Sequence, residues 1–542
     1  MPDARHDIQD TRLGPMVSVL IPTFNRRQYL SEALASALRQ SYVNLQVIVV
    51  NDGGQDVSDI VESYNDARVV FINRKENHGK AFSLNEALAQ VKGRYIAYLD
   101  DDDLYYPDHI ETLVNTLENQ TNCQVAYTDL YKAYCKIMPD GSRQILGKVV
   151  EISRDFDRFL MLYFNHALHV SLMHRTDLID KTGPYNERLN ILIDWDMTRK
   201  LAFFSDFCHV REITGEFYSP VGESDRISIQ HRKDRGEYMR NVLAIRTTRP
   251  AKPWPKIDDM SIILVADKLD KQVGQTIGSI WRHTFYPYKL YLPLPRADLD
   301  RLKTDMPNVE LVPIEPAASQ AQRVDEAMQV CDGKYVAIIP SGFTIQEMRI
   351  ENPLYALINS STSREGFELE GSTDVVWATV VKKEDLQHAR KGFPKLPVRQ
   401  SLAAAGIALR QPRPDELPFQ FDDLLQQAQF AEKEGNWTQA ARMFEYIGQN
   451  YQNKLWMKTL AARAFYRAGD HSKASELSKQ VNRQRPTVDT LLLEAKVAHE
   501  RNDHNRAIEL LQRAEQILLG SEDYSVAAKT NGCPEQRRNL EK

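Results

Sequence analysis

Four aspartates stand in a row, Asp100 to Asp103, directly after the apolar stretch "YIAYL" that ends at Leu99. Adjacent carboxylates about 4 Å apart repel by ~1 kcal/mol in water and by ~4 kcal/mol at the effective dielectric of a protein surface, so such a run needs a counter-charge. Two readings meet that need. A turn between strand and helix is a common setting for solvated aspartates, and a cluster of hard oxygen ligands is what a divalent cation takes. Two further acids stand out. Asp52 follows the apolar run "LQVIVV", and Asp194 in "NILIDWDMTRKLAFF" lies one residue, about 100° of helix, off the stripe of Ile193, Met197 and Leu201. An N-cap aspartate accounts for Asp194 as well as a functional carboxylate does.

The elements that must position these acids read as alternating strands and helices. "VSVLI" (Val17 to Ile21) precedes Leu30, Ala33, Leu34, Ala37 and Leu38, the stripe of an amphipathic helix. "LQVIVV", a polar helix near Val57 to Tyr64, "RVVFI", a helix carrying Leu84, Ala87, Leu88 and Val91, and "RYIAYL" complete the series. Fully apolar strands alternating with helices predict a parallel sheet covered on both faces. Ligands of such sheets sit at the carboxyl ends of the strands, which puts Asp52 and the aspartate run on one rim.

A second segment repeats this layout. "DEAMQVCDGKYVAIIPSGF" (Asp325 to Phe343) follows "NEALAQVKGRYIAYLDDDD" (Asn85 to Asp103) position for position, with Gly333 at the place of Gly93 and Pro340, Ser341 and Gly342 at the places of Asp100, Asp101 and Asp102. Partial duplication with loss of the acids is the favoured reading; two unrelated α/β units are the alternative. In a third, helical segment, "GNWTQA", "GDHSKA" and "NDHNRA" place Ala440, Ala474 and Ala507 at spacings of 34 and 33 residues. That is the tetratricopeptide period, which builds a concave face suited to another polypeptide. "RQPRPDELP", with three prolines, reads as a linker before it.

A chain of 542 residues is too long for one core. A net charge of -5 gives no pull toward nucleic acid, and no apolar stretch reaches the ~18 residues of a membrane span. Five scattered cysteines without a C-x-x-C pair point to neither a disulfide framework nor structural zinc, so a reducing cytoplasm fits best.

In order along the chain, "VSVLIPTFNRRQYLSEALASALRQSY", "VIVVNDGG", "ENHGKAFSLNEAL", "GRYIAYLDDDD" and "GPYNERLNILIDWDMTRKLA" resemble a family 2 glycosyltransferase of the GT-A fold. The resemblance implies inverting transfer of a sugar from a nucleotide-diphosphate donor, a UDP-sugar by preference, to an acceptor hydroxyl on a protein or a glycan. It implies that Asp52 and Thr23 hold the nucleobase. It implies Asp102 as the direct ligand of Mn²⁺ or Mg²⁺ and Asp100 beside it in the metal set, with Asp100 and Asp101 facing the ribose and metal-bound water. Asp103 is left out as the start of the next turn. Asp194 is implied as the general base, with Asp196 as the alternative. Asn77 and Lys80 are weaker candidates for the donor, His231 and Arg232 for a diphosphate clamp, and His166 and His169 for the acceptor pocket.

The expected plan is an N-terminal tail to 15, a GT-A domain over 16–250, a degenerate GT-A-like domain over 258–396, a linker over 397–418, tetratricopeptide-like repeats over 419–520 and a C-terminal tail. The repeats would dock a protein partner. The protein would be cytoplasmic, with work at the inner face of the membrane left open. A scaffold that only binds nucleotide sugar is the competing function, and a nucleotidyltransferase is disfavoured because "PTFNRR" lacks a glycine-rich phosphate loop.

Overall fold

The computed structural model describes residues 14–526 except 151, 222–234, 303–307, 362–363, 373–376, 419, 434 and 451–453. Two sheets and a helical array follow one another along the chain.

The first sheet contains β1 (Val17–Thr23), β2 (Leu45–Asn51), β3 (Val69–Asn73), β4 (Tyr95–Tyr98), β5 (Leu104–Tyr105), β6 (Cys123–Ile137), β7 (Arg143–Val149), β8 (Leu172–Arg175) and β9 (Asp206–Pro220). Its order is β3-β2-β1-β4-β8-β6-β9-β5, with β7 paired to β6. β1, β2, β3 and β4 are mutually parallel and β8 runs against them. The helices are α1 (Arg27–Leu38), α2 (Ser58–Ser63), α3 (Lys80–Leu88), α4 (His109–Asn119), α5 (Arg158–Tyr163), α6 (Ile179–Thr182), α7 (Ile193–Leu201) and α8 (Arg235–Thr247).

Because strand side chains alternate, β1 sends Val17, Val19 and Ile21 into a core with Leu30 and Leu34 of α1 and Leu113 of α4. Leu20 points to the opposite core, with Leu84 of α3 and Met197 of α7. Both faces are dry, which is why these strands carry no polar alternation.

The second sheet holds β10 (Met260–Val265), β11 (Tyr288–Pro295), β12 (Val309–Ile314), β13 (Tyr335–Pro340), β14 (Glu365–Glu368), β15 (Thr379–Lys382) and β16 (Ala408–Arg410), in the order β12-β11-β10-β13-β15-β14-β16. The parallel four-strand core of the first sheet thus recurs, again followed by an antiparallel strand. The Gly93 N–H donates to Ser18 Oγ at 2.9 Å, and the Gly333 N–H donates to Ser261 Oγ at 3.0 Å. At either glycine a Cβ would meet the neighbouring strand's backbone nitrogen, at 2.6 Å and 2.5 Å.

Two expectations are corrected here. The stretch read as a linker, 397–418, carries the helix Val398–Ala404 and β16, which pairs with β14. Arg410 is fastened there to Glu365 at 2.6 Å and to Glu416. Cys123 and Cys208, for which the spacing pointed to no disulfide framework, form a disulfide between β6 and β9, with Cα atoms 6.0 Å apart. Strand pairing brings together two residues 85 positions apart, an adjacency that no spacing rule encodes. The cysteine argument for a reducing compartment falls with it.

Beyond β16 come three helix pairs, Gln420–Lys433 with Trp437–Asn450, Lys454–Arg467 with His471–Gln484, and Val488–Glu500 with His504–Val526. Ala440, Ala474 and Ala507 are buried in the second helix of each pair. The array touches the first sheet through Arg485, whose Nη2 stands 2.5 Å from Asp129 Oδ2. Among the described residues no helix is long and apolar enough to cross a membrane.

Candidate active site

The register of β1 with β2 and β4 brings Thr23, Asp52 and the aspartate run to one end of the sheet. The Leu99 N–H donates to Leu20 O, which carries the chain to the rim in line with β4, and the Asp103 N–H donates to Asp100 O at 3.1 Å to close a turn. The four carboxylates then diverge.

Lys80 Nζ donates to Asp100 Oδ1 at 2.6 Å. Burial raises the Asp100 carboxyl, but the Lys80 ammonium overrides it and leaves the group at about 2. Asp101 turns inward, accepting from Thr23 Oγ1 at 2.7 Å and from Arg26 Nη1 at 3.4 Å. Burial first, and the charge of Asp102 second, push it up to about 7 against those two partners. Arg26 Nη1 also donates to Asp102 Oδ2 at 2.6 Å, and Arg143 Nη1 to the Asp102 carbonyl at 2.6 Å. The counter-charge demanded by the run is therefore supplied in part by Lys80 and Arg26.

Oxygens of Asp100, Asp102 and Asp103 lie within 4.8 Å of one another. Asp103, left out of the expected set, thus brings an oxygen to the same group, and its buried carboxylate also accepts from the Tyr218 N–H at 3.2 Å. The turn closed by the Asp103 N–H on Asp100 O sets its direction. A set of hard carboxylate oxygens fits Mn²⁺ or Mg²⁺.

Asp52 is buried. Its Oδ1 accepts from the His78 N–H at 2.9 Å and lies 3.0 Å from Arg74 Nη1, and its Oδ2 accepts from the Gly79 N–H at 2.8 Å. It therefore anchors the loop that delivers Lys80 to Asp100. Asn77 caps the same loop, its Oδ1 accepting from Gly79 N–H at 3.0 Å. Beside this rim, Asn25, Arg27, Gln28, Ser31, Gln55 and Ile60 line a cleft of about 500 Å³.

Asp194 lies in the first turn of α7, whose N-cap is Leu192 in the left-handed region at φ 61°. It is therefore not the N-cap residue. All other residues of α7 are buried. Asn165 Nδ2 donates to Asp194 Oδ2 at 3.2 Å. Burial pushes the Asp194 carboxyl above the ordinary range, and the Lys80 ammonium pulls the other way. The alternative acid, Asp196, is 1 % exposed and ion-paired with Lys200 at 2.5 Å.

His166 and His169 are buried and burial lowers both to about 3, so they are neutral core histidines. His169 Nε2 is 2.9 Å from Tyr185 Oη and its ring stacks on Tyr98. His231 and Arg232 lie outside the described residues. Arg26 and Asn165 were missed in the sequence. Arg26 stands in the quoted "PTFNRR", where a cation just past a strand end was the available signal; Asn165 carried none.

An acidic rim at the carboxyl ends of this strand core makes the first sheet a GT-A-like α/β domain. Residues 18–171 match the family model for glycosyl transferase family 2, so the N-terminal part of the chain carries a glycosyltransferase family 2 domain. The chain is 36% identical over 207 residues to an uncharacterized glycosyltransferase of Rickettsia typhi, covering 37% of this chain and 63% of that one. It is 41% identical over 218 residues to an uncharacterized glycosyltransferase of Haemophilus influenzae, covering 38% and 60%. It is 31% identical over 229 residues to the hyaluronan synthase of Pasteurella multocida, covering 41% and 22%. The chain thus spans less than two thirds of the length of each of these relatives.

Proposed function

We propose that this chain is an inverting, metal-dependent glycosyltransferase that moves a sugar from a nucleotide-diphosphate donor, a UDP-sugar, to an acceptor hydroxyl on a protein or a surface glycan. The observation that carries the reading is the meeting of Asp100, Asp102 and Asp103 oxygens on the strand-end rim, with Asp194 in the field of the lysine that pairs Asp100. Similarity to a hyaluronan synthase supports a glycan among the acceptors.

In this mechanism Asp102 and Asp100, joined by Asp103, would hold a divalent cation, which would supply Lewis-acid charge for the leaving diphosphate. Arg26 and Lys80 present two further positive charges to the same rim. Thr23 and Asp52 border the nucleobase, Asp52 by holding the 76–80 loop, and the inward-turned Asp101 holds Thr23 and Arg26 in place. Asp194 takes the acceptor hydroxyl proton as the acceptor oxygen bonds to the anomeric carbon and the bond from that carbon to the phosphate oxygen breaks. One displacement inverts the anomeric centre. Raised above its ordinary value, Asp194 is a stronger base than a free carboxylate. Asn165 orients it by donating from its amide.

The second sheet is read as a duplicated unit that lost its acids, and the helix pairs as tetratricopeptide-type repeats that dock a protein partner, either the acceptor or an assembly component.

A screen of nucleotide sugars with purified protein tests the reading. Release of nucleoside diphosphate that requires Mn²⁺ or Mg²⁺ and stops with EDTA is expected. Binding of a nucleotide sugar without turnover on any acceptor would instead support the scaffold.

A further inference from the structure

The helix that carries Asp194 does not rest on the first sheet alone. Five residues further on, Arg199 is 1 % exposed, and its guanidinium donates to the carbonyls of Thr248 at 2.7 Å, Arg246 at 3.1 Å and Phe285 at 3.2 Å. Arg246 and Thr248 end and follow α8, and Phe285 belongs to the approach to β11 in the second sheet. The Phe285 peptide is gripped from its other side as well. Its N–H donates to Glu351 Oε1 at 2.8 Å, and the Tyr286 N–H reaches the same oxygen at 3.3 Å. Glu351 is fully buried.

The partner of Asp194 is tied to the same support. Trp195 Nε1 donates to Met161 O at 2.9 Å, linking the first turn of α7 to α5. Phe159 of α5 meets the Phe285 ring edge-on at 5.3 Å, and α5 runs directly into Asn165. One apolar core extends from Met197 and Leu201 of α7 through Phe285 to Leu354 of the second domain. Apolar contacts would fill this junction with less desolvation. Directional bonds from a buried arginine also fix the rotation of the helix, which apolar contacts leave softer.

We propose that the second domain is the rigid support of the acceptor-activating carboxylate: Arg199 and Glu351 are positioning residues that set the rotation of α7 and thereby aim Asp194 at the rim, so the second sheet serves transfer without touching the donor. This rests on the reading of Asp194 as the base.

The test compares kcat, the donor Kd by calorimetry and the thermal midpoint for Arg199→Met, Arg199→Lys and Glu351→Leu in the full chain, with Arg199→Met repeated in an Asp194→Asn background. Arg199→Met is expected to lower kcat by about tenfold to a hundredfold, the scale of a 1 Å misplacement, with donor Kd unchanged within about threefold. Arg199→Lys should recover part of the loss, and Arg199→Met should cost nothing further once Asp194 is Asn. Losses that multiply in the double variant, or a folded Arg199→Met with full kcat, overturn the proposal. If Arg199→Met does not fold, Glu351→Leu makes the same comparison with the same criteria. Full turnover in Asp194→Asn overturns the base reading and the support proposal together, whereas multiplying losses overturn the support alone.

Discussion

Lys80 Nζ donates to Asp100 Oδ1 across 2.6 Å, and the field of the same ammonium opposes the burial that raises Asp194. One cation therefore couples the acidic rim to the proposed base. Its place is set by Asp52, which holds the preceding amides of His78 and Gly79.

Lys80→Met should shift the acid limb of the pH–rate profile. Lys80 opposes the burial that raises Asp194, so its removal lets the folded carboxyl rise further. A base must be unprotonated, so activity should be lost at a higher pH than in the parent as the solution is acidified. A limb that stays in place or moves down contradicts the coupling.

Asp102→Ala should abolish metal-dependent turnover and leave the thermal midpoint nearly level. Arg26 keeps Asp101 as a partner, and Asp101 ionises more readily once the Asp102 charge that raises it is gone. Mn²⁺ titration by calorimetry should lose its heat. Near-normal turnover at saturating Mn²⁺ would remove Asp102 from the metal set.

Glu351 makes stability depend on pH. Burial pushes it up to about 7 against the N–H groups of Phe285 and Tyr286 and the charge of Arg246. An unfolded glutamate titrates near 4.3, so between about 4.3 and 7 the folded state binds the extra proton and stability falls as pH rises. Glu351→Gln keeps the acceptor oxygen without the titration. Its thermal midpoint relative to the parent should climb between pH 5 and pH 8, and a constant difference would refute the linkage.

Arg485→Ala should loosen the seating of the helical array on the first sheet. Asp129 is buried and also holds Ser153 Oγ at 2.8 Å and His209 Nε2 at 2.8 Å, so losing the arginine leaves a buried carboxylate short of charge. Removing one partner of a buried pair costs about 3–5 kcal/mol. A larger radius in solution scattering and a lower thermal midpoint are expected; an unchanged radius would show that the array is held by other contacts.

The parts legible in the sequence were those with local periodicity. Apolar runs such as "VSVLI" and "LQVIVV" became strands buried on both faces, and the carboxyl-end rule brought Asp52 and the aspartate run together. Ala440, Ala474 and Ala507 marked the helix pairs. What escaped depends on distant partners. Arg26 meets Asp101 across 75 residues and Arg199 meets Phe285 across 86, and an isolated arginine reads as a surface charge. The three-residue β16 sits in a proline-rich stretch too short for any period to register. The direction of Asp103 follows from a turn hydrogen bond that composition does not reveal.

The most direct test of the account is the turnover of Asp194→Asn measured together with its donor Kd. The amide preserves size and the contact with Asn165 but cannot take a proton, so kcat should fall by about 10²- to 10⁴-fold while donor Kd stays within about threefold. Turnover that survives in Asp194→Asn and collapses in Asp196→Asn, despite the Asp196 ion pair with Lys200, would contradict the assignment of the base and with it the proposed mechanism.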